Sequence, residues 1–159
     1  MYTGAGKYQE MASLREQLGS GDKRNAVIDD ALKVLDQEVD DRSGITGLAI
    51  KGAYKVVKGI KPGFLREVVE AMLDDFLDAI DPVYQEAAEK KKPAGQHLID
   101  NQGRVADALL AVTDRRAQQA QRQVVRSAYD KLRPMAKKQV EQAAPRLAKL
   151  LEKHAASTA

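Results

Sequence analysis

Three lysines, Lys51, Lys55 and Lys58, recur at i, i+4 and i+7, so on a helix their ammonium groups share one face. Clustered cations of this kind meet anions: phosphates, whose counterions they release, or anionic membrane headgroups, whose surface potential draws them in. A second basic set, Arg115, Arg122, Arg126 and Arg133, extended by Lys137, holds one face of any continuous helix through that stretch. Arginine is the better phosphate ligand, because its planar fork binds two oxygens at once. Gln118, Gln119, Gln121 and Gln123 surround this set with neutral hydrogen-bonding groups. It is the chain's best match to a polyanion, though it names a charge class and not a ligand. The plain alternative for both sets is a solvated face. The lysines could also pair with the acidic helix that follows them.

The remaining reactive residue types form no catalytic or metal-binding pattern. Glu70, Asp74, Asp78 and Asp81 recur along one helix face, opposite an apolar stripe. Di-metal bundles instead point their carboxylates inward and use Glu-x-x-His pairs, and neither His97 nor His154 has an acid three residues before it. A solvated or salt-bridged face is the expectation. Gly47 to Gly52 begins like a Walker loop, but Ala53-Tyr54 stands where Lys-Ser/Thr would reach phosphate and magnesium, and no strand precedes it. Gly52 and Gly59 share a helix face and are expected to admit a closely packed neighbour. The chain has no cysteine, which removes disulfides, thiolate zinc sites and cysteine nucleophiles together. His97 is placed in a loop and His154 near a fraying end, with no Gly-x-Ser-x-Gly in the chain. No catalytic residue, metal site or cofactor is expected, and the protein reads as a binding protein and not an enzyme.

Charge is sorted by segment. Five basic residues and no acid lie between Gly44 and Arg66; six acids and no base lie between Glu67 and Asp81. From Arg115 onward, eleven Lys/Arg face Asp130, Glu141 and Glu152, so the net +3 conceals the blocks.

The elements that must carry these residues are all helical, since every apolar pattern has a period near 3.6. A short helix is expected to end at Leu18, before Gly19-Ser20-Gly21. Asp22 is a candidate N-cap for the next, with Val27, Ile28, Ala31, Leu32, Leu35 and Val39 as its stripe. A helix over 46–60 turns Ala49, Ala53, Val56, Val57 and Ile60 toward a core. Another, over 62–80, carries Leu65, Val69, Met72, Leu73, Phe76 and Ile80 inward, and Asp81-Pro82 marks its boundary. A helical pattern from Val105 stays unbroken to Leu132, Arg133-Pro134 interrupts it, and Pro145 kinks the last helix. The expectation is an all-α, compact bundle of six to eight amphipathic helices. A loosely ordered segment covers 1–20, a single helical domain 21–155, and a surface linker (KKKPAG) about 90–96. No signal sequence opens the chain and no apolar run approaches the ~20 residues of a bilayer span, so a cytoplasmic address is the simplest.

Several stretches occur together in order: KGAYKVVKGIKPGFL (51–65), LDAIDPVYQE (77–86), ALLAVTDRRA (108–117), SAYDKLRPMAKK (127–138) and PRLAKLLEKH (145–154). On these the chain resembles an uncharacterised bacterial family of small all-helical proteins, best represented among actinobacteria. The resemblance implies one helical domain and no activity. Three roles remain open. They are the Arg set contacting nucleic acid, the Lys helix docking on anionic membranes or apolar inclusions, and the bundle serving as a scaffold for a protein partner or a second copy.

Overall fold

The computed structural model describes residues 11–159. Among them are eight helices and no strand: α1 (Leu14–Leu18), α2 (Gly21–Asp41), α3 (Gly44–Lys58), α4 (Phe64–Glu89), α5 (Ala94–Asp100), α6 (Gln102–Gln119), α7 (Gln123–Gln142) and α8 (Ala144–His154). The all-α expectation holds, at the upper end of its helix count.

The centre of the bundle is α4, which packs against α1, α2, α5 and α6. It continues past Pro82, where a boundary was expected. An interior proline removes one hydrogen bond and crowds the carbonyl four residues earlier, at a cost of about 3 kcal/mol. Val83, Tyr84 and Ala87, just beyond it, are almost wholly buried, and fully burying a large apolar side chain returns roughly 1.5–3 kcal/mol. Core packing therefore offsets the local cost of Pro82, and the helix goes on to Glu89. Pro134 likewise lies inside α7 without ending it. Pro145, expected to kink a helix, instead stands in the first turn of α8, where its missing N–H would have no partner anyway.

Residues 1–10 of the expected loose segment lie outside the described residues. In the rest of that segment the short helix ends at Leu18 as expected, but it is packed and not loose. Ser13 and Glu16 form a reciprocal capping box at the start of α1, and Leu14 and Leu18 are completely buried. The Leu14 N–H also donates to Asp81 Oδ1 at 2.9 Å, tying α1 to α4. The next helix, α2, begins at Gly21, one residue before the proposed Asp22 cap. The linker at 90–96 shrinks to a turn before Ala94. Ala94, Gly95 and His97 are buried within α5, which packs on α8.

Two layers result. The contiguous buried core draws on α1, α2, α4, α5, α6 and α8, with no residue from α3 or α7. Those two helices pack on each other and form an outer pair. Gly47 is the one buried residue of α3, and α7 has none.

Candidate functional site: the outer helix pair

The chain enters α3 through Gly44 (φ +69°) and leaves its closing turn through Gly63 (φ +76°), left-handed conformations that glycine adopts without a Cβ penalty. Close packing was expected at Gly52 and Gly59, but a Cβ at Gly52 would meet nothing within 4 Å, and one at Gly59 only carbonyls of its own helix. The tight glycine is Gly47, whose Cβ would sit 2.7 Å from the Arg42 carbonyl carbon.

The direction α3 faces differs from expectation in one respect. Ile50, Ala53 and Val57 turn inward and are half-buried. Ile45 is 88% exposed, Leu48 73% and Val56, assigned to the core by its spacing, 50%. The fourth exposed large apolar residue among those described is Val124, at 43%, on α7. All four therefore lie on the outer pair.

The acidic helix does not neutralise the lysines of α3. Its carboxylates are engaged elsewhere: Glu70 by Arg66 at 3.1 Å, Asp74 by Arg24 of α2 at 2.7 Å, Asp78 by Arg15 of α1 at 2.6 Å. This row is an ion-paired seam between helices. Among the described residues Lys51 and Lys55 have no carboxylate within 4.0 Å, whereas Lys58 reaches Asp36 of α2 at 3.5 Å and lies 5.0 Å over the Tyr54 ring. The Tyr54 hydroxyl also donates to Asp36. Burial, and then the Asp36 carboxylate that accepts its hydrogen bond, push that hydroxyl above its ordinary pKa. Asp36, Asp40, Lys51, Tyr54 and Lys55 line an open hollow of about 520 Å³ between α2 and α3.

The second basic set does not form one stripe. The helix expected to run unbroken to Leu132 stops at Gln119 and restarts at Gln123, so Arg115 is on α6 while Arg126, Arg133 and Lys137 are on α7. A break of three residues ends the angular register that the spacing assumed. Arg133 binds Asp114 at 2.8 Å and Lys137 binds Asp107 at 3.1 Å, both across to α6. Arg133, and then the Tyr129 hydroxyl, hold the Asp114 carboxyl below its ordinary pKa. Arg126 turns back onto the Ala120 carbonyl and Gln123 at its own helix start. Arg122 lies 5.6 Å over the ring of Phe64, at the start of α4 after the turn that closes α3, and Arg115 is exposed. Since Arg42, before α3, also bonds Gln139 near the end of α7, the two outer helices run antiparallel.

Both histidines are structural, a role their sequence neighbours did not disclose. Within α5, His97 Nε2 lies 2.9 Å from Glu86 Oε1, and Arg104 holds the other oxygen of Glu86 at 2.9 Å. His97 and then Arg104 pull the Glu86 carboxyl down to about 2. His154 Nε2 lies 2.7 Å from Asp30, which Lys153 also binds at 2.8 Å. Lys153 and then His154 hold the Asp30 carboxyl low. Among the described residues no three His, Asp or Glu side chains gather as a metal site. No described helix is long and apolar enough to cross a membrane.

The sequence profile of a family of unknown function (DUF6918) matches residues 14–155, and the chain belongs to that family. No curated protein and no solved structure matches it.

Proposed function

We propose that this member of a family without an assigned activity is a non-enzymatic binding protein whose outer helix α3 docks on anionic lipid surfaces, working from the cytoplasm. The observation that carries the reading is the coincidence, on one outer helix, of exposed Ile45, Leu48 and Val56 with Lys51 and Lys55, neither of which has a carboxylate within 4.0 Å among the described residues. Burying an exposed Leu or Ile is worth roughly 1.5–3 kcal/mol, while a lysine near an anionic membrane contributes about 1 kcal/mol. The lysines thus bring the helix to the surface, and the apolar side chains hold it there.

Other occupants fit less well. A second copy applied to this face would set lysine against lysine, because no acid lies between Gly44 and Arg66. A nucleic acid would meet the cations but leave Ile45 and Leu48 in water. For the Arg set, Arg133 and Lys137 already have carboxylate partners.

The test is co-sedimentation with vesicles containing phosphatidylglycerol, against vesicles of phosphatidylcholine alone. The protein is expected to pellet with the first and to be released by salt. A variant with Lys51, Lys55 and Lys58 all changed to Gln should stay in the supernatant with little change in melting temperature. Wild-type protein that never pellets with anionic vesicles, or a lysine-free variant that pellets as well as wild type, removes the proposal.

A further inference from the structure

We infer that the inner row of α3, Ile50, Ala53 and Val57, belongs to the same lipid-contacting surface and reaches it when α3 lifts off the bundle. The inference rests on the lipid reading above and specifies how the helix engages the bilayer.

Its first support is angular. At 3.6 residues per turn, Leu48, Gly52, Ile45, Val56, Ala49, Ala53, Val57 and Ile50 fall in that order around one apolar arc of about 200°, interrupted only by Thr46. The opposite sector holds Lys51, Tyr54, Lys55 and Lys58. An interfacial helix has this division, with its cations toward water and headgroups and its whole apolar arc in the acyl boundary. In the bundle the arc is split. Its outer edge is in water and its inner edge is only half-buried, outside the contiguous core. Rigid docking would use the outer edge alone.

The second support is how α3 is held. Among the described residues, its side chains make two polar ties to the rest of the bundle, from Tyr54 and from Lys58, and both end on the single carboxylate of Asp36. The flanking turns contain Gly44 and Gly63, positions able to absorb large backbone rotations. Lifting therefore breaks one latch and, within α3, moves a single buried residue, Gly47. Lipid then covers both edges of the arc.

The experiment uses the full chain, which contains no tryptophan, so an introduced one is the only indole signal. Leu48→Trp reports the outer edge and Val57→Trp the inner edge, on phosphatidylglycerol-containing vesicles whose acyl chains carry bromine as a quencher. Lifting predicts a comparable loss of emission from both. Tyr54→Phe removes the charge-neutral half of the latch and is expected to tighten vesicle binding about three- to tenfold, the worth of one hydrogen bond. That variant decides the matter should Val57→Trp fail to fold. Quenching of Leu48→Trp alone, or unchanged affinity in Tyr54→Phe, overturns lifting while leaving lipid docking intact. Absence of vesicle binding by the wild type overturns both.

Discussion

Leu98 on α5 and Leu48 on α3 are the same residue on helices of one small protein, yet the first is completely covered and the second is mostly in water. The helix that carries Leu98 is closed in by α4 and α8, and its neighbour His97 is clasped by Glu86 and, through it, Arg104. The helix that carries Leu48 is held by half-buried contacts and two ties to one carboxylate. Apolar residues on the inner layer thus stabilise the fold, whereas those on the outer face of α3 contribute little to it. A side chain that is costly to expose and does nothing for folding points to a partner.

That contrast should appear first as a difference in stability. Leu98→Ala is expected to cost about 2–5 kcal/mol in chemical denaturation, since the side chain leaves a cavity that the packed core cannot fill. Gly47→Ala, at the one tight point of the outer pair, should cost about 1–3 kcal/mol, because the new methyl meets the Arg42 backbone and not a movable side chain. Acid should act on the inner layer. Glu86 and Asp30 titrate below their unfolded values, so their contribution is complete above the unfolded carboxylate range, roughly 4 to 5, and is lost as pH falls through their lowered folded values, about 2 for Glu86. The melting temperature should therefore fall across that window, and fall less steeply in Glu86→Gln. Leu48→Ala should stay within about 0.5 kcal/mol of wild type at any pH. Smallest of all, Arg122→Gln should leave both stability and vesicle binding nearly unchanged, because its guanidinium stacks on Phe64 and has no carboxylate partner within 4.0 Å among the described residues. If Arg122→Gln instead abolishes a salt-sensitive shift of duplex DNA, the polyanion reading displaces the lipid one.

How much of this was legible in the sequence varies with the physics involved. The helices were, because apolar periodicity is local. Their boundaries at proline were not: Pro82 interrupts the pattern in the sequence, and only tertiary packing of residues such as Tyr84 outweighs its local cost, while Pro134 lies inside α7, which has no buried residue to explain its tolerance. The start of α1 is legible in Ser13-x-x-Glu16, the spacing of a capping box. The lysine face is legible from its spacing on one helix, but whether it meets the acidic row depends on which arginines reach Asp74 and Asp78 first. Those partners, Arg24 and Arg15, lie some fifty to sixty residues away in the chain. The Arg set depended on a continuous helix, and the turn after Gln119 carries neither Gly nor Pro to announce it. Ile45 and Leu48 were visible as apolar residues outside the inward row of α3. Their sequence signal was an apolar arc too wide for one packing face.

The central claim is that the outer face of α3 serves a lipid partner and not the fold. It is tested most directly by one doubly substituted protein, Ile45→Ser with Leu48→Ser, measured for melting temperature and for co-sedimentation with phosphatidylglycerol-containing vesicles. The account predicts a melting temperature within a few degrees of wild type and vesicle binding largely lost, with Lys51 and Lys55 still in place. Undiminished vesicle binding by that variant, or a collapse of its stability on the scale expected for Leu98→Ala, would contradict it.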